Sequence, residues 1–234
     1  MSSAPLRFWK YEGTANDFVV VEGRDPTDDL DAAWVRAACD RNRGIGADGV
    51  VLITPSQQRD HDARMVIRNA DGSRPEMCGN GLRCVALHLA WRRASTEGSR
   101  SGPFAIETDA GRRTASVVGD DLSSSGEVTV DMGRVVVGPT RSIDVGGVTF
   151  EVTAASAGNP HAVTFAPLDD RELDVIGAAL QGSTQFPNGV NLERVSVAMP
   201  RTGPSLAARV DVFERGVGRT LACGTGACAA AAVI

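Results

Sequence analysis

The sequence predicts an α+β protein built from two related α/β halves, each a set of strands around one main helix. Three observations carry this. Short β-branched runs bounded by Gly, Pro and Asp alternate with a few helical stretches. A Cys-Gly-polar-Gly motif occurs twice, at Cys78 and at Cys223, 145 positions apart. Three further anchors recur around it in the same order, which is the signature of an internal duplication.

In the first half, Asp17–Val21, Gly49–Thr54, Arg64–Asn69, Phe104–Asp109, Thr114–Val118 and Glu127–Met132 read as strands. Leu30–Asp40 reads as a helix with Asp28 or Asp29 near its start. Gly81–Arg93 reads as a second helix, with Arg92 and Arg93 in its last turn, where cations favour the dipole. The second half repeats the scheme, with a helix near Asp170–Leu180 closed by Gly182. The seam is placed near Gly133–Arg141, giving halves 1–134 and 135–234.

The anchors align residue by residue. Asn16, before the run Phe18–Val21, matches Asn159, before Val163–Phe165. Gly46-Ala-Asp-Gly-Val matches Gly189-Val-Asn-Leu-Glu, and Arg64–Asn69 matches Arg209–Glu214. Asn69 and Glu214 each precede their cysteine by nine residues, and the offsets are 143 and then 145. After Cys78 the first copy runs 55 residues to Gly133, whereas 11 follow Cys223, ending in the apolar stretch Ala229–Ile234. On this comparison the second half is expected to be C-terminally truncated by about 44 residues.

Composition excludes several classes. The formal charge of −5 over 234 residues gives no basic surface for nucleic acid or anionic lipid. Met1–Lys10 lacks the apolar core of a signal peptide, and no apolar run spans a bilayer, so a cytoplasmic protein is expected. Five cysteines are an odd number without disulfide spacing, which predicts free thiols in a reducing compartment. Of 24 basic residues only Lys10 is a lysine, so a pyridoxal-type imine has no suitable anchor. Neither a Gly-x-Gly-x-x-Gly after a strand nor a Walker loop is present. No cofactor and no metal are predicted. Oligomeric state is not legible; a homodimer is the assembly considered.

The two thiols carry the chemistry. A thiol is a useful base only as thiolate, and a helix N-terminus lowers its pKa. Both cysteines precede such a start, each followed by a glycine that lets backbone amides approach a ligand. Those amides also suit a substrate carboxylate. One thiolate taking an α-proton while a second thiol returns one to the opposite face would invert a stereocentre, with helix-end amides stabilising the developing enolate. Cys39, Cys84 and Cys228 read as packed helix residues. A zinc site from Cys78, Cys84, Cys223 and Cys228 has spacings of six and five and ranks far below. His61 reads as a solvated loop residue and His88 as a packed or surface helix residue. His161, two after Asn159, is favoured as tuning a nearby thiol. Glu214, placed opposite Asn69 in the repeat, is favoured as functional over a local pair with Arg215.

At Gly13-Thr-Ala-Asn-Asp-Phe, Asn69 through Cys84, Gly158-Asn-Pro-His-Ala and Glu214-Arg215 through Gly226, the chain closely resembles the diaminopimelate epimerase family. The resemblance covers almost the whole chain. It implies strongly curved, mostly antiparallel sheets wrapped around a central helix. It also implies a cofactor-independent isomerase interconverting LL- and meso-2,6-diaminopimelate, in lysine and peptidoglycan precursor synthesis. It assigns Cys78 and Cys223 as the base and acid pair, with His161 and Glu214 modulating thiol pKa. Gly79, Asn80, Gly224 and Thr225 become the carboxylate-binding helix starts. Asn16, Asn69, Asn159, Asn191, Glu214 and Arg215 become substrate contacts. A planar, always-charged Arg215 suits a distal carboxylate. Some members carry Gln where Gly49 stands, so no role is assigned there. The rivals are a proline or hydroxyproline racemase, a four-cysteine metal or redox module, and an inactive truncated homologue. Asn80, Asn191 and Arg215 favour the longer, two-ended substrate over proline.

Overall fold

The computed structural model describes residues 6–97, 103–119, 125–198 and 206–234. The chain divides into two compact units, Met1–Met132 and Gly133–Ile234.

The first unit contains β1 (Phe8–Gly13), β2 (Asn16–Glu22), α1 (Ala32–Cys39), β3 (Gly49–Thr54), β4 (Ala63–Asn69), α2 (Gly79–Glu97), β5 (Pro103–Thr108), β6 (Gly111–Val118) and β7 (Glu127–Asp131). The strands form one sheet in sequence order. β2–β3 and β4–β5 are parallel and the other neighbours antiparallel. The sheet curls around α2, which packs on β1, β2, β3, β4, β6 and β7.

Strand periodicity explains how both faces are filled. Phe18, Val20, Val51, Ile53, Met65 and Ile67 point inward, onto Leu82, Val85, Ala86 and Leu89 of α2. Their neighbours Val19, Val21, Val50, Leu52 and Val66 point outward and are covered by Val35, Ala38 and Cys39 of α1. Covered on both sides, β2 and β3 read as continuous apolar runs. Burying each such Val, Leu or Phe side chain stabilises the unit by about 1.5–3 kcal/mol.

The second unit contains β8 (Val136–Val145), β9 (Val148–Ser156), β10 (Pro160–Thr164), α3 (Asp170–Leu180), β11 (Asn191–Val197), β12 (Ala208–Glu214), β13 (Gly218–Thr220) and α4 (Gly224–Val233). Its sheet runs β13-β12-β11-β10-β9-β8, with only β10–β11 parallel. The β9–β12 run repeats the pairing of β1–β4, with α3 in the place of α1 and α4 in the place of α2. α4 is rich in alanine and packs closely: Ala229 and Ala230 are buried against Ala155, Val163 and Val195. On the other face, Leu173, Ile176 and Leu180 of α3 meet Val152, Leu192 and Phe186. The expected α+β class, with a curled sheet around a helix, is the architecture observed.

Local signals hold with three corrections. α1 is capped by Asp31, whose Oδ1 accepts from the Trp34 N–H at 2.7 Å. Asp28 and Asp29 serve elsewhere: Asp28 accepts from the Arg24 and Asp25 amides, and Asp29 pairs with Arg74. Second, α2 runs to Glu97, so Arg92 and Arg93 stand before its last turn and pair with Glu22 and Asp62 instead. Third, β1 is an additional strand. Its half-exposed edge alternates residues of mixed character, which masks the apolar pattern. α3 matches its expected bounds. A capping box between Asp169 and Glu172 starts it, and Gly182, at φ +82°, follows its end.

Candidate active site

Each cysteine stands at the mouth of its unit's central helix. Cys78 Sγ accepts from the Gly81 N–H at 3.4 Å, and its carbonyl accepts from Leu82 N at 2.9 Å. Cys223 Sγ accepts from the Gly226 N–H at 3.3 Å, and its carbonyl accepts from Ala227 N at 2.9 Å. Each sulfur thus serves as an N-cap acceptor, where free amide protons and the helix dipole meet it. The remaining cysteines differ in burial. Cys39 and Cys84 are buried and Cys228 is half-buried. Burial pushes Cys39 up to about 11 and Cys84 to about 12.

In the first unit the β1–β2 hairpin reaches the helix mouth. Thr14 and Ala15 form its two-residue turn, at φ +55° and +63°. Both are left-handed without being glycine, a strain that a built site sustains. The turn brings the Thr14 hydroxyl within 2.7 Å of Asn80 Oδ1, which also accepts from Arg83 Nη1 at 2.9 Å. Gly13 fits closely here, because a Cβ would stand 3.0 Å from the Asn80 carbonyl oxygen. Asn16 Nδ2 donates to Asp48 Oδ2 at 2.6 Å, and Asp48 is clamped by Arg41 at 2.7 Å. Asn69 pairs with Gly49 at the same end of the sheet, and its Nδ2 donates to Ser73 Oγ at 3.0 Å. The structure therefore joins Asn80 to the hairpin, and Asn16 to Asp48 beside Asn69. Gly49 has a packing reason: a Cβ would lie 2.6 Å from the Arg68 carbonyl oxygen.

The second unit gathers more. His161 and Asn191 are register partners on β10 and β11. Asn191 Oδ1 accepts from the Arg215 amide at 2.8 Å, and its Nδ2 donates to the Pro160 carbonyl at 3.2 Å. The Arg215 guanidinium bonds the Asn188 carbonyl at 3.2 Å. Glu214, at the end of β12, accepts from the Thr220 hydroxyl. Asn159 Nδ2 donates to Thr225 Oγ1 at 3.3 Å, and Thr225 Oγ1 lies 3.3 Å from Cys223 Sγ. His161 is buried, with Nε2 2.8 Å from Asn159 Oδ1 and Nδ1 2.6 Å from Glu193 Oε1. Asn159, His161, Asn191, Arg215, Cys223, Gly224 and Thr225 thus form one connected cluster.

The electrostatics around Cys223 correct the expectation of a depressed thiol. Burial pushes its pKa well above the ordinary value, and the nearby Glu214 and Glu193 push it further. The Thr225 and Gly226 hydrogen bonds oppose this but do not overcome it. Cys223 therefore holds its proton at rest. Desolvation outweighs a helix terminus that supplies only a partial charge.

Contributors outside the sequence-predicted set include Thr14, Asp48, Arg83 and Glu193. Glu193 is fully buried on β11, and it escapes sequence reasoning because the mixed run Asn191–Val197 does not show which of its polar residues face the core. A carboxylate at a core-facing strand position is itself the available signal. His88 is packed, bonding Tyr11 at 3.1 Å and Glu22 at 3.0 Å. His61, expected in solvent, is half-buried beside Asp60. Among the described residues no group of three or more His, Cys, Asp or Glu is arranged to hold a metal ion. A cavity of about 970 Å³ in the first unit lies along Trp9, Tyr11, Arg83, Trp91 and Val128 and touches none of the predicted site residues.

Comparison with known proteins assigns this arrangement a family. The family model described as diaminopimelate epimerase matches residues 8–138 and 153–234. Diaminopimelate epimerase of Desulforudis audaxviator is 42% identical, over 97% of this chain and 82% of its own length. That of Trichodesmium erythraeum is 38% identical, over 95% and 81%. The chloroplastic rice enzyme is 38% identical over 97% of this chain, which spans 67% of its length. Among solved structures, a probable proline racemase from Agrobacterium radiobacter superposes with TM-score 0.75 at 17% identity, covering 98% of this chain and 76% of that one. A hydroxyproline epimerase from Agrobacterium vitis gives 0.72 at 18%, covering 97% and 75%. These two share the fold; sequence decides the kinship, and the chain belongs to the diaminopimelate epimerase family.

Proposed function

We propose that this chain interconverts LL- and meso-2,6-diaminopimelate by proton transfer at one α-carbon, with Cys78 and Cys223 as the acid–base pair. The observation that supports it most is the repeated helix mouth. Each holds a sulfur capped by the third amide after it, inside the span matched by the family model. Cys223, held protonated by burial and two carboxylates, starts as the acid. Cys78 then takes the opposite role as base, and the roles exchange with substrate configuration. Helix-start amides at Gly79, Asn80, Gly224 and Thr225 bind the α-carboxylate and stabilise the enolate charge. Asn16, Asn69, Asn159, Asn191, Glu214 and Arg215 are read as substrate contacts, with His161 and Glu214 tuning thiol ionisation. Asn80, Asn191 and Arg215 favour a two-ended substrate over proline.

A cytoplasmic setting fits five free thiols, and no helix among the described residues is long and apolar enough to cross a membrane. The deciding experiment incubates the protein with LL-diaminopimelate in deuterated water. Deuterium at Cα together with meso product is the expected result. Turnover of proline instead, or no exchange at all, would overturn the reading.

A further inference from the structure

Glu193 has entered so far only as a charge that raises Cys223, yet its position is costly. It is 0% exposed, its Oε2 makes no hydrogen bond, and its Oε1 lies 2.6 Å from His161 Nδ1. Gly226 of the cysteine motif is what admits it, because a Cβ there would stand 2.7 Å from Glu193 Oε1 and 3.3 Å from Cys223 Sγ. An unpaired carboxylate oxygen in a core is retained only where something depends on it.

The hydrogen-bond directions show what depends on it. His161 Nδ1 faces the Glu193 carboxylate and Nε2 faces Asn159 Oδ1, both acceptors. Each contact needs one proton, so one lies between Glu193 Oε1 and His161 Nδ1 and another sits on Nε2, directed at Asn159. With its oxygen engaged, the Asn159 amide turns its N–H toward Thr225 Oγ1. The Thr225 oxygen thereby accepts, which leaves its own proton for Cys223 Sγ at 3.3 Å. Were His161 neutral at Nε2, the amide would rotate to donate to that lone pair. Its oxygen would then take the Thr225 proton, and the sulfur would lose a donor.

We propose that Glu193 is a positioning residue for the reaction: paired with His161, it fixes the direction of a hydrogen-bond chain through Asn159 and Thr225 that aims the Thr225 hydroxyl at Cys223. No proton travels along the chain. When Cys223 gives its proton to the substrate carbon, the charge left on sulfur is met by the Thr225 O–H and the Gly226 N–H. The titratable groups bearing on Cys223 are Glu193 from β11, Glu214 from β12 and, through Asn159, His161 from β10. This inference rests on reading Cys223 as an acid–base thiol, and its test reads the sulfur without substrate, so failure of the relay and failure of the activity are seen separately.

The test is the rate of iodoacetamide alkylation of Cys223 at pH 8, resolved from the other cysteines by peptide mass spectrometry. That rate follows the thiolate fraction. Loss of one charge-assisted donor slows it about tenfold in Thr225→Val, while Thr225→Ser restores it. Glu193→Gln removes the acid that shares a proton with His161 Nδ1 and slows alkylation to the same degree. The double variant Glu193→Gln/Thr225→Val is no slower than either single one, because both cut one chain. Faster alkylation in Glu193→Gln would show that Glu193 acts only as a repelling charge, and unchanged or additive rates would equally overturn the relay. Should Glu193→Gln not fold, ¹⁵N NMR of His161 in the unmodified protein decides. A proton bound to Nε2 supports the relay, and a bare Nε2 refutes it.

Discussion

Phe18 and Val51 in the first unit occupy the strand positions that His161 and Glu193 hold in the second. Phe18 stands two residues after Asn16, and His161 two after Asn159. Val51 and Glu193 lie two residues beyond the parallel partners Gly49 and Asn191. Both lie under the last glycine of a cysteine motif: a Cβ at Gly81 would meet Val51 at 3.5 Å, and one at Gly226 would meet Glu193 at 2.7 Å. The same backbone thus carries an apolar floor beneath one sulfur and a buried carboxyl–imidazole pair beneath the other. Around Cys78 the nearest motif polar group, Asn80, is held by a cation, Arg83; around Cys223 two carboxylates raise the thiol. The two helix mouths share their backbone pattern, and the strands below them carry different residues.

The largest expected effect tests whether the two mouths act as a pair. Cys78→Ser and Cys223→Ser should each lower epimerisation by about a thousandfold or more, measured by conversion of LL substrate. Retained turnover in both variants would end the comparison. The next effect separates the floors. Gly226→Ala drives a Cβ into the Glu193 carboxylate and should cost about 2–3 kcal/mol in urea unfolding, whereas Gly81→Ala meets the movable end of Ile67 at 3.0 Å and should cost about 1 kcal/mol or less. Equal costs would remove the distinction.

Acid stability sharpens it further. Burial raises the Glu193 carboxyl from 4.5 to about 6, against the His161 hydrogen bond. The fold therefore favours the protonated acid. That contribution is fully present below 4.5 and is lost as the pH rises toward 6, amounting to about 2 kcal/mol. Unfolding curves of the unmodified protein and Glu193→Gln should diverge by about this amount between roughly pH 4 and 7, with the variant the flatter; parallel curves would contradict the raised carboxyl. The smallest effect concerns the turns before the paired asparagines. Ala15, at φ +63°, stands where the second unit has Gly158, at φ +95°. Ala15→Gly should stabilise by about 1 kcal/mol, read as a higher melting temperature, and a lower one would show that the turn is unstrained.

Much of the fold and site is legible in the residues themselves. The duplicated motif locates both helix mouths, its last glycine directly following the polar residue in each copy, and the Asn16 and Asn159 anchors mark equivalent strands. β2, β3 and β4 are visible as apolar runs. β1 is not, because an edge strand exposed on alternate positions has no continuous signal. The ends of α1 and α2 escape sequence reasoning because several acids compete near Asp31 and because arginines well inside a helix look like those of a last turn.

The sequence alone determined which residues could carry proton transfer: two thiols in matching glycine-flanked frames, with asparagine, glutamate and arginine at matching offsets. Residue type and spacing suffice for that, since they set what a side chain can donate, accept or ionise. The tertiary structure alone decided the ionisation of Cys223 and the place of Glu193. A pKa depends on how much water is removed and which charges stand within a few ångströms, and those neighbours come from β10, β11 and β12, separated by many residues along the chain.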